Sequence, residues 1–228
     1  MNGGANRGDS PPVPLYVATS NMGKLREMYA LFAGTPFALQ LFSGYVSPPE
    51  GIERYSDNAA LKARALHAQL RARGTPAAVL ADDSGLEVSA LGGRPGVATA
   101  DYGGSGADWP ARRGMLLAEL AAAHTLDRRA RFVCAMHLID PAGREFASLG
   151  TVDGTIALEE RGELGFSFDP VFCYPPAGMT FAELDEVQKN RVSHRAIAAA
   201  AIVAAAAAAS RSFEPACTMR GEIAVERE

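Results

Sequence analysis

Two adjacent carboxylates, Asp82 and Asp83, follow the apolar run 77–81 and precede Ser84 and Gly85. Carboxylates at the end of a buried strand are costly unless something compensates them. A hard cation such as Mg²⁺ does so through oxygen ligands, and one carboxylate can then deprotonate a water. Gly85 is expected to permit a sharp turn. A helix cap or an Asx-turn would use the same residue types. A second group, Thr19-Ser20-Asn21-Met22-Gly23-Lys24, lies between a short apolar segment and an amphipathic one. A helix start offers unpaired N–H groups and partial positive charge, small residues let an anion approach, and Lys24 adds a full charge. The Walker A spacing G-x-x-x-x-G-K-S/T is absent. A plain strand-to-helix turn with a surface lysine would read the same way.

Three further groups stand out. Gly165-Phe166-Ser167-Phe168-Asp169-Pro170 puts aromatics on a glycine-supported loop, where they can stack on a base or simply pack a turn. Lys189, followed by Ser193-His194-Arg195, offers charge for phosphates or a purine carbonyl and a histidine donor. Ser193 would equally serve as an ordinary N-cap with a solvated Arg195 beside it. Leu91-Gly92-Gly93-Arg94-Pro95-Gly96-Val97 fixes an unusual loop path but carries no reactive group beyond Arg94.

Positioning these groups calls for alternating strands and helices, an α/β pattern. Residues 15–19 read as a strand. Leu25, Met28, Tyr29 and Phe32 fall at i, i+3, i+4 and i+7, one helix face that Gly34 and Pro36 end. Ser56 or Asp57 is expected to cap a helix through Leu61, Ala65, Leu66 and Leu70. The run 77–81 is a buried strand. Asp108 caps a helix from Trp109 to about Ala123. Residues 132–139 and 145–152 flank Pro141-Ala142-Gly143 as a hairpin. Residues 162–169 read as a loop.

Composition narrows the function. The chain has 228 residues, 48% hydrophobic and 21% charged, with net charge -4, which argues against a protein built to grip nucleic-acid backbone. Three widely spaced cysteines, Cys134, Cys173 and Cys217, with no C-x-x-C, fit a reducing, cytoplasmic setting. The segment 196–209 is apolar throughout, but 11 of its 14 residues are alanine. A membrane span needs about 20 strongly apolar residues, so a packed helix is expected. The expected organisation is a disordered tail over 1–13, one catalytic domain over 14–210 and an irregular tail over 211–228.

The order of the groups is more specific than any one of them. VATSNMGKLREM, YSDNAALKARAL, LADDSGLEVSALGGRPGV, GELGFSFDPVF and TFAEL…QKNRVSHRA occur in sequence over residues 15–200. In these stretches the chain resembles the inosine triphosphate pyrophosphatase family, the Ham1-like non-canonical purine NTP pyrophosphatases. The resemblance implies an elongated mixed β-sheet with flanking helices, forming two lobes around a nucleotide cleft, and a homodimer. It implies Mg²⁺-dependent hydrolysis of ITP, dITP and XTP to the monophosphate and pyrophosphate. It makes Asp83 the general base and a metal ligand, and gives Glu50, in the Pro49-Glu50-Gly51 turn, a share in the metal. It puts Thr19, Ser20, Asn21, Gly23, Lys24 and Lys189 on the triphosphate. Ser84, Phe166, Ser167, Phe168, Asp169, His194 and Arg195 surround the nucleotide, with the base near the last two.

Departures from the family pattern are visible. GFGYDP becomes Gly165-Phe166-Ser167-Phe168-Asp169-Pro170, a glutamate becomes Asp57, S-A-R-Y becomes Thr99-Ala100-Asp101-Tyr102, and both tails are extra. A pyrophosphatase of dTTP/UTP-type specificity and a nucleotide-binding protein with reduced turnover are the competing readings.

Overall fold

A computed structural model describes residues 11–211 apart from positions 52 and 105. Nearly all of both expected tails, and Cys217, fall outside the described residues. β1 (Val13–Val17) pairs in parallel with β2 (Phe37–Leu41) and with β3 (Ala78–Val88). Parallel neighbours need crossovers. These are α1 (Met22–Phe32), between β1 and β2, and α2 (Tyr55–Ala72), between β2 and β3. β2 was not foreseen, because its apolar residues stand half-exposed at the sheet edge. After β3, a turn leads into the two-residue β4 (Pro95–Gly96), and α3 (Trp109–Ala122) follows. β5 (Arg129–Ile139) and β6 (Glu145–Ile156) form the expected hairpin, longer than read, and the short β7 (Phe172–Tyr174) and β8 (Met179–Thr180) extend it. The mixed sheet runs β2-β1-β3-β5-β6-β7-β8, with β4 on the edge of β3. α4 (Glu186–Val192) and α5 (His194–Arg211) close the chain. Among the described residues the elements run from Val13 to Arg211.

Two of the apolar clusters sit at the two ends of the long strands β3, β5 and β6. One joins Leu15, Val17, Leu80 and Met136 to Leu25, Met28 and Phe32 of α1 and to Ala198, Ala199, Ile202 and Ala206 of α5. The other gathers Leu86, Leu116, Phe132, Phe168, Phe172 and Phe181. Each large side chain so buried contributes about 1.5–3 kcal/mol. Tyr29, expected on the buried face of α1, is 47% exposed, and Glu27 is buried in its place.

The alanine helix works by its thinness. A Cβ at Gly150 of β6 would stand 2.1 Å from the His194 carbonyl oxygen, so glycine and alanine let backbones approach here. Ser193 caps the helix as expected, accepting from Ala196 N at 3.1 Å. Among the described residues no single helix is long and apolar enough to cross a membrane. Only α4 and α5 together, bent by 61°, reach that length and composition, and α5 packs on β5, β6 and α1. Asp108 caps α3 as expected, but neither Ser56 nor Asp57 caps α2. That helix begins at Tyr55, after Arg54, with no side-chain cap.

Candidate active site

The site lies where the sheet has a gap. β1 leaves β3 after Val17↔Leu80, and β4 takes up that same edge only at Leu86↔Gly96. β5 covers the opposite edge from Val79 to Val88. Among the described residues, 81–85 of β3 therefore have no strand on one side, at the carboxyl ends of two parallel strands. Open α/β sheets commonly bind ligands there. The acidic pair thus lies inside an 11-residue strand rather than at its end. Gly85 makes no turn. It is small because a Cβ would stand 2.3 Å from Gly96 O, where the 91–97 loop crosses it.

Because successive strand residues point to opposite faces, Asp82 and Asp83 are separated and compensated differently. Asp82 faces α1 and α5. It pairs with Lys24 Nζ at 3.0 Å and Arg195 Nη2 at 3.4 Å, and accepts from Ser84 Oγ at 2.6 Å. Burial opposes its charge, but Lys24 and Arg195 hold its carboxyl well below the ordinary range. Asp83 faces α2. Asn58 Nδ2 donates to its Oδ2 at 2.9 Å, and Lys62 Nζ stands 3.4 Å from Oδ1. Here burial outweighs Lys62 and Lys24, and the pKa is raised. Lys62 also reaches Glu50 Oε2 at 2.9 Å. Asn58 and Lys62 were missed by sequence reading. Their i, i+4 spacing on α2 puts two polar side chains on the face that also buries Ala59, Ala63 and Leu66, and that was the available signal.

The helix start at Lys24 differs from expectation. Asn21 Oδ1 accepts from Gly23 N and Lys24 N at 2.9 and 3.1 Å, and Thr19 Oγ1 accepts from Asn21 N at 3.2 Å. These three N–H groups are already engaged, so the positive end rests chiefly on the Lys24 ammonium. Gly23 is small for a different reason than anion approach. A Cβ there would stand 2.7 Å from the Phe166 ring, which lies on this turn.

Beneath Phe166 runs a buried ion network. Glu27 Oε1 pairs with Lys189 Nζ at 2.6 Å, and Glu27 Oε2 accepts from Arg195 Nη1. Lys189 also meets Asp169 Oδ2, and Arg195 Nη2 donates to Ser84 Oγ at 3.1 Å. Phe166 roofs both cations, 4.9 Å from Lys189 Nζ and 5.7 Å from Arg195 Cζ. Burial pushes the Glu27 carboxyl up, but Arg195 and Lys189 overcome it and hold the pKa below its usual value. Asp169 is raised by burial despite Lys189. Glu27, also missed, stands at i+3 from Lys24, a charge among buried positions of α1. The solvated Arg195 weighed from sequence does not occur, since the residue is 1% exposed.

His194 stacks on Phe132 at 4.7 Å, and its Nδ1 has no partner among the described residues. Burial, with Arg195 and Lys189 nearby, pushes its pKa well below the ordinary value, so the ring is neutral at neutral pH. A cavity of about 250 Å³ joins these parts. Thr19, Ser20, Asn21, Lys24, Glu50, Asp83, Ser84, Phe166, Ser167, Asp169, Lys189, His194 and Arg195 all line it. Phe168 and Gly23 are not among the lining residues. Phe168 is fully buried and packs edge-on against Trp109 and Tyr102 at 5.6 and 6.1 Å, so in this structure its ring faces the core rather than the cavity. Asp57 and Asp101 are exposed and stand off the cavity wall. Ser167, where the family pattern has glycine, holds φ 60.

Comparison with known proteins fits this geometry. The Ham1 family model matches residues 15–205. A dITP/XTP pyrophosphatase of Geobacillus kaustophilus is 41% identical over 187 residues, 81% of this chain and 89% of the relative. One from Geobacter sulfurreducens is 42% identical over 189 residues, 82% and 92%. The solved Staphylococcus aureus Ham1 protein superposes with TM-score 0.73 at 34% identity, covering 86% of this chain and 99% of that one. The match runs from within β1 into α5 and takes in the whole ion network around the sheet gap, and on it the chain belongs to the Ham1 family.

Proposed function

We propose that this chain hydrolyses nucleoside triphosphates of non-standard purines, dITP, ITP and XTP, to the monophosphate and pyrophosphate. The observation that carries the reading is one cavity whose wall gathers Asp83, Lys62, Glu50 and Lys24 together with Phe166, His194 and Arg195. The first four are assigned to the triphosphate end of the substrate and the last three to its base end. The names of the relatives support the same substrates.

Attack on a polyanion is slow because its charge repels the nucleophile, so neutralising groups dominate catalysis. Lys24 and Lys62 bring cationic charge to the triphosphate end. Asp83 orients and deprotonates the attacking water. Its raised pKa suits a base working near neutral pH better than an ordinary carboxylate would. Asn58 fixes Oδ2, while Ser84 N and Lys62 Nζ hold Oδ1, so the carboxylate is oriented from both sides. Among the described residues no cluster of three or more acidic, His or Cys side chains forms a complete metal cage. The donor chemistry nevertheless fits Mg²⁺. Asp83 and Glu50 both converge on the Lys62 ammonium, and Mg²⁺ takes one or two carboxylates, its remaining positions going to water and substrate phosphate. Bound there, the metal would neutralise phosphate charge. At the base end, Nε of Arg195 and Nδ1 of His194 are buried with no partner among the described residues. Donors committed to a 6-keto oxygen are left unpaired by adenine, which presents an amino group there, and such mismatches discriminate strongly. A homodimer and a cytosolic setting complete the reading. The homodimer follows from the family resemblance and the cytosolic setting from the cysteine usage, and sedimentation and cell fractionation test them.

Release of pyrophosphate from dITP, ITP, XTP, dTTP, UTP, dATP and ATP, with Mg²⁺ and after EDTA, tests the function. Purine keto-nucleotides should lead and EDTA should abolish turnover. A preference for dTTP or UTP, or binding without turnover, would sink it.

A further inference from the structure

One cavity wall takes no part in the chemistry above. Trp109, the only tryptophan of the chain, lines the cavity beside Phe166 and Ser167. It is the first residue of α3, set by the Asp108 cap and followed by Pro110. Its ring edge rests on buried Phe168 at 5.6 Å and an interplanar angle of 79°, and Arg112 Cζ lies 5.1 Å from the ring centroid. The indole is half-buried. One turn on, at i+4, Arg113 ties α3 to the base loop. Its Nη1 donates to Ser167 O at 2.9 Å, its Nη2 pairs with Glu160 at 2.9 Å, and its side chain is 11% exposed. Such a linkage fixes the helix against the loop, so the distance between Trp109 and Phe166 is set by the fold rather than by solvent.

We infer that Trp109 is a substrate-contacting residue. Its indole packs against the purine and forms the α3 side of the base compartment, with the Phe166 loop on the other side. The inference rests on the proposed purine nucleotide function. A rigid, partly exposed indole in a concave site gains from being covered, and an aromatic ring contacts any base because every base has a π-face. Trp109 therefore sets the affinity for purines without choosing among them, and the choice remains with the buried donors.

Two measurements decide this. Trp109→Ala should raise KM for dITP and XTP alike, by about tenfold. The kcat should stay within about twofold, and Trp109→Phe should restore much of the KM. An unchanged KM, or a fall in kcat and melting temperature alone, overturns the inference. Because the protein has one tryptophan, the unmutated enzyme supplies the second measurement. Inosine monophosphate should shift or quench its emission saturably, and inorganic pyrophosphate should not. Emission unmoved by the monophosphate up to its solubility limit overturns the inference even if dITP is turned over. A clear shift with no turnover of dITP or XTP would instead remove the functional reading and leave the contact standing.

Discussion

Glu27→Gln removes one carboxylate from beneath two buried cations and keeps the side-chain shape. In the native protein Glu27 is 6% exposed and is shared by Lys189 and Arg195. Removing one partner of a buried ion pair costs about 3–5 kcal/mol. Lys189 keeps Asp169 and Arg195 keeps Asp82, so the low end, about 3 kcal/mol, is expected. At about 2–4 °C per kcal/mol for a chain of this size, Tm should fall by about 6–12 °C. The pH dependence has a definite sign. The folded pKa of Glu27 lies below its usual value. Its contribution is therefore fully present above the unfolded value of about 4.3 and is lost as pH falls through the folded value. The gap between wild type and variant should be constant above about pH 5 and narrow below about pH 4. Thermal melts followed by circular dichroism across that range measure it. A gap under about 1 kcal/mol at neutral pH, or one that widens in acid, would refute the network as a source of stability.

Asp83→Asn should cost about 10²–10⁴-fold in kcat while Tm holds or rises. Burial disfavours the ionised acid, and the neutral amide escapes that penalty; near wild-type turnover would remove Asp83 as the base. Ser167→Gly should raise stability by about 1–2 kcal/mol, because φ 60 at this residue strains a side chain that glycine lacks. Arg113 bonds only its carbonyl oxygen, so that tie survives, and an unchanged melt would count against the strain. Arg195→Lys tests base selection better than Arg195→Ala, which leaves Glu27 and Asp82 with less compensation. The lysine variant keeps the charge but loses the planar fork, and the ratio of dITP to dATP kcat/KM should fall by at least about tenfold. An unchanged ratio would refute the base-reading role.

The order of the chemical groups, and with it the family resemblance, is legible from the residues alone, because motif order survives without any knowledge of contacts. The sequence also determined those elements whose signals are local. The Asp108 cap, the hairpin around Pro141-Ala142-Gly143 and the Ser193 cap depend on residues a few positions apart, and all three formed, the hairpin with longer strands than read. The Ala-rich run was legible as a packed helix for the same reason. What sequence could not reveal depends on residues far apart in the chain. Asp82 and Asp83 looked like one acidic pair at a strand end, but pairing with β5 over ten residues carries the strand through them. Strand alternation then sends one carboxylate to Lys24 and Arg195, the other to Asn58 and Lys62. Glu27 is 168 positions from Arg195, and nothing local marks their contact. Phe168 looked like a base-stacking ring beside Phe166, yet the loop turns it into the core under Trp109. Which side chain faces a cavity and which faces a core is decided by the packing of elements distant in sequence, and only the tertiary structure holds that information.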